Sequence, residues 1–362
     1  MKINIRKQQV GDIQNSTNVI NINGDLIIDK TTFLDIQKDF FEILRVDFEK
    51  YSAKAILKAK EEVSNFIKSL LAKLYNLNKT DLISKLQMLP LQRSIYTSLS
   101  GFVTSEDEGI KDCIIDLMVD RLEANSASTE AAIINEAISI IPDLNPSTLS
   151  LLAIMALRNF QILPEFSFML EQFFHKLSPI VNNIKVINNL SIDHIMQKRC
   201  TKTLTGFSRI ETLENTFLHQ YDLYFRKKGS WEWLQEFRIN HPEIMHRVNR
   251  NGTCMFVVDQ QVNQWSFIDV NSKIMYNRLH MNGQDYLIPL IEELKQHTPL
   301  FSKYDIQEYF ANINENWKYV FSFMDSEIIC QSSLSSVGLY IGSKYISKYT
   351  GSQPLSITSY KL

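Results

Sequence analysis

The chain has 362 residues, of which 44% are hydrophobic, enough for one or more packed cores, so wholesale disorder is excluded as the default state. Its 38 basic and 40 acidic side chains leave a formal charge of -2, which excludes a global positive field for nucleic acid or anionic membrane. The four cysteines, Cys113, Cys200, Cys254 and Cys330, lie far apart without zinc-ligand spacing, MKINIRKQQ carries no apolar leader core, and no run approaches the roughly 18 apolar residues of a spanning helix; together they predict reduced thiols, no transmembrane segment and a cytoplasmic setting.

The opening stretch QQVGDIQNSTNVININGDLII, residues 8–28, alternates apolar and polar side chains. Ile20 and Ile22 fall on one face, Asn21 and Asn23 on the other, which is strand periodicity. Two Gly-Asp copies, Val10-Gly11-Asp12 and Gly24-Asp25, suit turns or bulges, so strands are expected near 2–6, 9–14, 17–23 and 25–29. A short β element cannot bury much alone, because two-stranded hairpins are marginal in water. If copies from several subunits paired edge to edge, Asn15, Asn18, Asn21 and Asn23 could form amide ladders while Ile20 and Ile22 stack. Residues 1–30 are therefore expected to be an intersubunit element, with a local cap on the protein's own helices as the simpler alternative.

From Thr31 the period lengthens. TTFLDIQKDFFEILRVDFEKY reads as a helix with more aromatic residues than one buried face needs, so packing on both sides is expected. Ile56, Ala59, Val63, Phe66, Ile67, Leu70 and Leu74 then form the stripe of a long amphipathic helix. A helix array continues through residues 80–177. Ser105 is the expected cap of one helix, Pro142 closes the next, and Asn145 with Pro146 opens a third whose run Leu149–Leu157 is apolar almost all round.

Residues 182–189 and Lys227 to Ser230 read as connectors. Beyond them, Thr253–Val258 and Gln264–Val270 are expected to pair as strands, with helices near 284–296 and 303–323. The end reads strand, helix, strand, with Gly351 as the helix stop before Leu355–Thr358. The expected fold is mainly α: a β oligomerisation element over 1–30, a helical domain over 31–228 and a small α+β C-terminal domain over 229–362.

The opening Q-x-G-D-x-x-N-S-T-N box, Asp116–Arg121, Asn135-Glu136-Ala137, the Leu144–Leu152 region and Ser335–Gly342, in that order, resemble an uncharacterised bacterial family known by a double locus-tag name, whose members are similar to defence-island proteins. The resemblance implies an antiphage, defence-associated setting. It supplies no catalytic pattern and no cofactor.

Searched for chemistry, the sequence holds no P-loop, dinucleotide fingerprint, H-E-x-x-H or G-x-S-x-G. His241 and His246 are five apart, which puts them on different helix faces. Asp112, Asp116 and Asp120 recur every four residues on one face; stacked carboxylates could share a divalent cation, or pair with Lys111, Arg121 or a neighbouring helix. Tyr224, Arg226, Lys227, Lys228, Trp231 and Trp233 mix aromatic platforms with cations, as a protein partner or single-stranded nucleic acid would use, although core aromatics beside a solvated turn give the same pattern. Gly338 and Gly342 suit close packing of two soluble elements. The favoured reading is a non-enzymatic defence-associated scaffold or sensor that self-assembles and binds another protein, with no cofactor and nucleic acid not favoured. A metal-dependent nuclease is the first alternative and a membrane-disrupting effector the second.

Overall fold

The computed structural model describes residues 19–23, 26–48, 53–159, 167–204, 210–242, 256–259 and 261–352, and its architecture is mainly α. Strands β1 (Val19–Asn23) and β2 (Leu26–Asp29) form an antiparallel hairpin, with Ile20 opposite Ile28 and a bulge between Asn21 and Asn23. The expected strands near 2–6 and 9–14 lie outside the described residues. β2 runs without a break into α1 (Lys30–Phe48), followed by α2 (Ala53–Asn76). The predicted stripe of α2 is its buried face: Val63, Phe66, Ile67, Leu70 and Leu74 are at most 1% exposed.

A 3-10 turn leads to α3 (Leu89–Thr104), α4 (Glu108–Glu123), α5 (Thr129–Ile140) and α6 (Pro146–Ala156). Here the local chemistry sets the boundaries. The cap of α4 is Asp107, whose carboxylate accepts the Ile110 N–H at 2.9 Å, and not Ser105, which ends α3 instead. An ionised acceptor is the stronger cap and also faces the positive helix end. Asn145 and Thr148 form a reciprocal capping box at the start of α6, as the Asn-Pro pair suggests. Helix α6 is buried all round, from Thr148 to Ala156.

Next come α7 (Ser167–Lys176), α8 (Ser178–Asn182), a 3-10 turn over Asn183–Val186, α9 (Asn189–Gln197), β3 (Thr201–Thr203) and α10 (Leu213–Gln220). A smaller apolar cluster follows, built from Leu223, Leu234, Phe237, Trp265, Phe267, Met275, Leu279 and the Leu287–Leu294 region. Its sheet orders β4 (Gly229–Ser230), β6 (Gln264–Phe267) and β5 (Phe256–Asp259), all antiparallel, covered by α11 (Trp231–Asn240), α12 (Ser272–Met281) and α13 (Ile288–Gln296). With α14 (Lys303–Ile313) the chain returns to the large core through Ile306 and Phe310. The expected helix over 303–323 is broken: Asn314 ends α14 and Asn316 precedes α15 (Trp317–Met324), while both amides donate to the Asn182 side chain at 2.9 Å. The short α16 (Glu327–Cys330), β7 (Ser332–Leu334), paired with β3, and α17 (Ser336–Thr350) complete the described fold.

Helix α17 lies against α6, α5 and α4 in the same core as the early helices. Its two glycines make the approach: a Cβ on Gly338 would stand 2.0 Å from the Cys200 carbonyl oxygen, and one on Gly342 would stand 2.4 Å from that of Leu152. The close-packing expectation for Gly338 and Gly342 is thereby met. Gly351 stops the helix at φ +72°, a left-handed conformation that costs a side-chain-bearing residue more. The expected strand at Leu355–Thr358 lies outside the described residues. Among the described residues no helix is long and apolar enough to cross a membrane.

The contact at Cys200 involves backbone, which cannot swing aside. Gly338→Ala is therefore expected to destabilise by about 1–3 kcal/mol, within the range of core overpacking, read as a lower urea midpoint at unchanged slope.

Candidate functional site

A groove of about 1090 Å³ lies between α2 and α17, with α4 as its floor. Asp112, Asp116 and Asp120 lie along that floor, as their spacing requires, and Glu123 extends the row. The walls supply cations. Lys73 of α2 pairs with Asp116 at 2.7 Å, and Lys79 pairs with Glu123 at 2.7 Å. From the opposite wall Lys344 reaches Asp120 at 2.5 Å and Lys348 reaches Asp112 at 3.0 Å. The Tyr340 hydroxyl also donates to Asp120, and Lys348 donates to the Gly109 carbonyl at 3.3 Å.

Like-charge repulsion along the acidic row is therefore relieved by lysines of α2, of the turn after it and of α17. Lys111 turns away to Glu62 and Glu108, at 2.9 and 3.0 Å, and Arg121 is buried, donating through Nε to Asn135 Oδ1 at 2.8 Å. Of the partners weighed from sequence, the neighbouring helices supply those of all three aspartates, and Lys79 reaches Glu123 from the turn after α2. Lys344 and Lys348, four apart on one helix, were the visible half of that signal; their pairing over more than two hundred residues was not visible. Among the described residues no cluster of three or more His, Cys, Asp or Glu side chains is arranged to hold a metal ion. His246 lies outside the described residues.

Titration follows from this packing. Burial depresses the Lys348 ammonium, but its hydrogen bond and attraction to Asp112 outweigh that and leave it above its ordinary value. Lys111 is raised in the same way: burial opposes, and Glu62 and Glu108 prevail. Burial pushes the Cys113 thiol, behind the groove floor, up to about 12, and the Cys200 thiol likewise to about 12.

The aromatic and basic segment beyond α10 is distributed differently. The Tyr224 hydroxyl meets that of Tyr309 at 2.5 Å, and burial raises the Tyr224 phenol. Arg226 is a clasp: Nε donates to the Asp222 carbonyl at 2.9 Å, and Nη1 to those of Lys295 and Thr298 at 2.6 Å. Lys227 and Lys228 are exposed and lie 3.3 and 4.0 Å from Asp305 and Asp259. Trp231 faces Arg238, and Trp233 stacks on His297 with ring centroids 3.8 Å apart. Tyr224 and Arg226 thus tie the segment to α13 and α14, while the two lysines and the half-buried tryptophans remain at the surface. Of the proposed assembly residues, Ile20, Asn21, Ile22 and Asn23 form β1, and Ile20 packs against the large core. Val10, Gly11, Asp12, Asn18, Gly24 and Asp25 lie outside the described residues.

These features define a mainly α protein with a lysine-bridged acidic groove. A family model matches residues 31–359, and the chain belongs to that family, an uncharacterised one carrying a locus-tag-style name. No curated protein and no solved structure matches the chain.

Two measurements probe the groove. Asp120→Ala leaves Lys344 and the Tyr340 hydroxyl without their carboxylate and is expected to cost about 1–3 kcal/mol, whereas Asp112→Ala, which removes a carboxylate that is 65% exposed, stays within about 0.5 kcal/mol in urea unfolding. On the alkaline side the folded state retains protons on Cys113 and Cys200 that the unfolded chain releases from the ordinary thiol range of about 8.5 upward. Stability is then fully present below that range and falls as pH rises toward about 12. A melting series from pH 7 to 11 is expected to show this decline in Tm, flattened in a Cys113→Ala, Cys200→Ala double variant.

Proposed function

We propose that the protein is a non-enzymatic scaffold or sensor of bacterial antiviral defence, in the cytoplasm, whose N-terminal β element joins copies of the chain while the helical body meets a protein partner. The observation that supports this is the hairpin. β1 and β2 form a two-stranded sheet on α1 and α2, and among the described residues neither outer edge is paired. Two strands are marginal by themselves, and an open edge is a ready template for another strand. A strand of a second copy pairing at such an edge would extend and cover the sheet. The defence setting follows the resemblance of the opening box and the ordered motifs after it. The exposed Lys227 and Lys228 with the half-buried Trp231 and Trp233 offer the partner surface.

The metal-nuclease alternative draws no support from the acidic row, because a cation at Asp112, Asp116 and Asp120 would have to displace Lys348, Lys73 and Lys344. The test is the light-scattering mass of the full-length protein and of a chain beginning at Thr31, at several concentrations. A defined oligomer that falls to monomer on truncation, with its helical circular dichroism kept, is expected. An unchanged mass would reduce the hairpin to a local cap and overturn the assembly reading.

A further inference from the structure

The chain leaves α17 at one end of the groove over α4. Lys344 meets Asp120 and Lys348 meets Asp112, so α17 runs antiparallel to α4 and its last turn stands at the Asp112 end of the acidic row. The exit is held in place there: the Thr350 carbonyl accepts from Lys176 of α7 at 3.2 Å, and the Ser352 N–H donates to the Thr350 hydroxyl at 3.2 Å. Gly351, left-handed at φ +72°, breaks the helix direction, and both Gly351 and Ser352 line the groove. The exit therefore opens on the groove side. Residues 353–362 lie outside the described residues.

The sequence after Ser352 matches the groove in length, pattern and charge. It reads Gln353-Pro354-Leu355-Ser356-Ile357-Thr358-Ser359-Tyr360-Lys361. Pro354 biases Gln353 to extended backbone, and Leu355 and Ile357 alternate with Ser356 and Thr358, a period of two that puts both apolar residues on one face. Asp112 and Glu123 are roughly 16 Å apart along α4 at 1.5 Å per residue, and six extended residues reach roughly 20 Å. Apolar surface accompanies the row: Ala72 adjoins Lys73, the partner of Asp116, and Leu77, 42% exposed, comes two residues before Lys79, the partner of Glu123. Among the described residues that line the groove five are acidic and four are lysines, whereas residues 353–361 hold no acid and one cation, Lys361. The family match extends to residue 359, so Leu355 and Ile357 fall within the shared body.

We propose that residues 353–361 occupy this groove as an intramolecular strap, running from its Asp112 end toward Glu123, with Leu355 and Ile357 against the apolar lining and Lys361 toward Glu123 and Glu130. An extended chain presents N–H and C=O groups along both edges, and walls that alternate lysine donors with carboxylate acceptors can satisfy both kinds. A row already matched by lysines leaves little net charge to attract a highly charged segment and suits a polar backbone with small apolar anchors. Occupied in this way the groove is closed to other chains, and drawing the strap away opens it.

The test uses full-length protein and a fluorescein-labelled peptide of residues 353–361. A Leu355→Asp, Ile357→Asp double variant is expected to vacate the groove and bind the peptide in anisotropy titrations. Wild type is expected to bind it about tenfold or more weakly, because its own segment competes at a millimolar effective concentration. Adding Ala72→Trp, which fills the groove, is expected to abolish binding. No binding by a double variant with an unchanged melt, equal binding by variant and wild type, or binding that survives Ala72→Trp would each overturn the proposal. A second measurement does without that variant. Ala72→Cys combined with Leu355→Cys, treated with a short bis-maleimide, is expected to link within one chain at every protein concentration, and neither single variant is expected to do so. Linkage only between chains would seat the segment of a second copy and overturn the intramolecular occupant, and absence of linkage would overturn it as well.

Discussion

Gly338 and Gly342, one helical turn apart, let α17 approach the backbone at Cys200 and Leu152 more closely than any side chain would allow, and the rest of the architecture follows from that contact. The Ser335 N–H bonds the Cys200 carbonyl at 2.9 Å, which aligns β7 with β3 and fixes where α17 begins. Once α17 lies along α6, its next two turns carry Tyr340, Lys344 and Lys348 over α4. The groove is a consequence of this packing: without the glycines α17 would stand off from α6, and its lysines would lose the acidic row.

The row itself selects a register. Exposed ion pairs contribute little individually, yet four carboxylates along one helix can be neutralised only when α2 and α17 sit at matching heights on either side. Each lysine meets a different acid, so a slip of either helix by one turn would leave an end carboxylate unpaired and bring like charges together. Apolar packing supplies the attraction between these helices, and the charges restrict it to one arrangement. The same division holds at α10, where fully buried Glu214 is tied to Gln307 at 2.7 Å and Lys303 at 3.4 Å, setting α10 against α14.

Elements governed by neighbours in sequence were legible. The stripe of α2, the capping box at Asn145, the all-round burial of α6, the antiparallel β5–β6 pair and the stop at Gly351 each depend on residues within a few positions of one another. Two local expectations missed. Ser105 has the right residue type for a cap, but Asp107 offers a stronger acceptor two positions later, and hydrogen-bonding propensity alone does not rank two adjacent candidates. The break between α14 and α15 depends on Asn182, distant in sequence, which accepts from Asn314 and Asn316 and holds the turn that a continuous apolar pattern hides. The candidate site was half legible for the same reason. Asp112, Asp116 and Asp120 announce a face, but whether that face holds a metal or lysines is decided by helices that arrive from either end of the chain.

The matched family residues begin at Thr31, within the first turn of α1, so the hairpin lies outside the shared helical body while being covalently continuous with it. This placement bears on how the β element could act. A strand pair joined by a flexible linker would bring copies together without orienting them. Here β2 passes into α1 at Lys30 with no intervening residue, and Ile20 packs on the core, so the direction of the strand edges is fixed relative to the body. Pairing those edges would therefore orient whole subunits. Any partner surface on the helical body, such as that around Lys227 and Trp231, would then be repeated in a defined geometry, which is the property that distinguishes a scaffold from an aggregate.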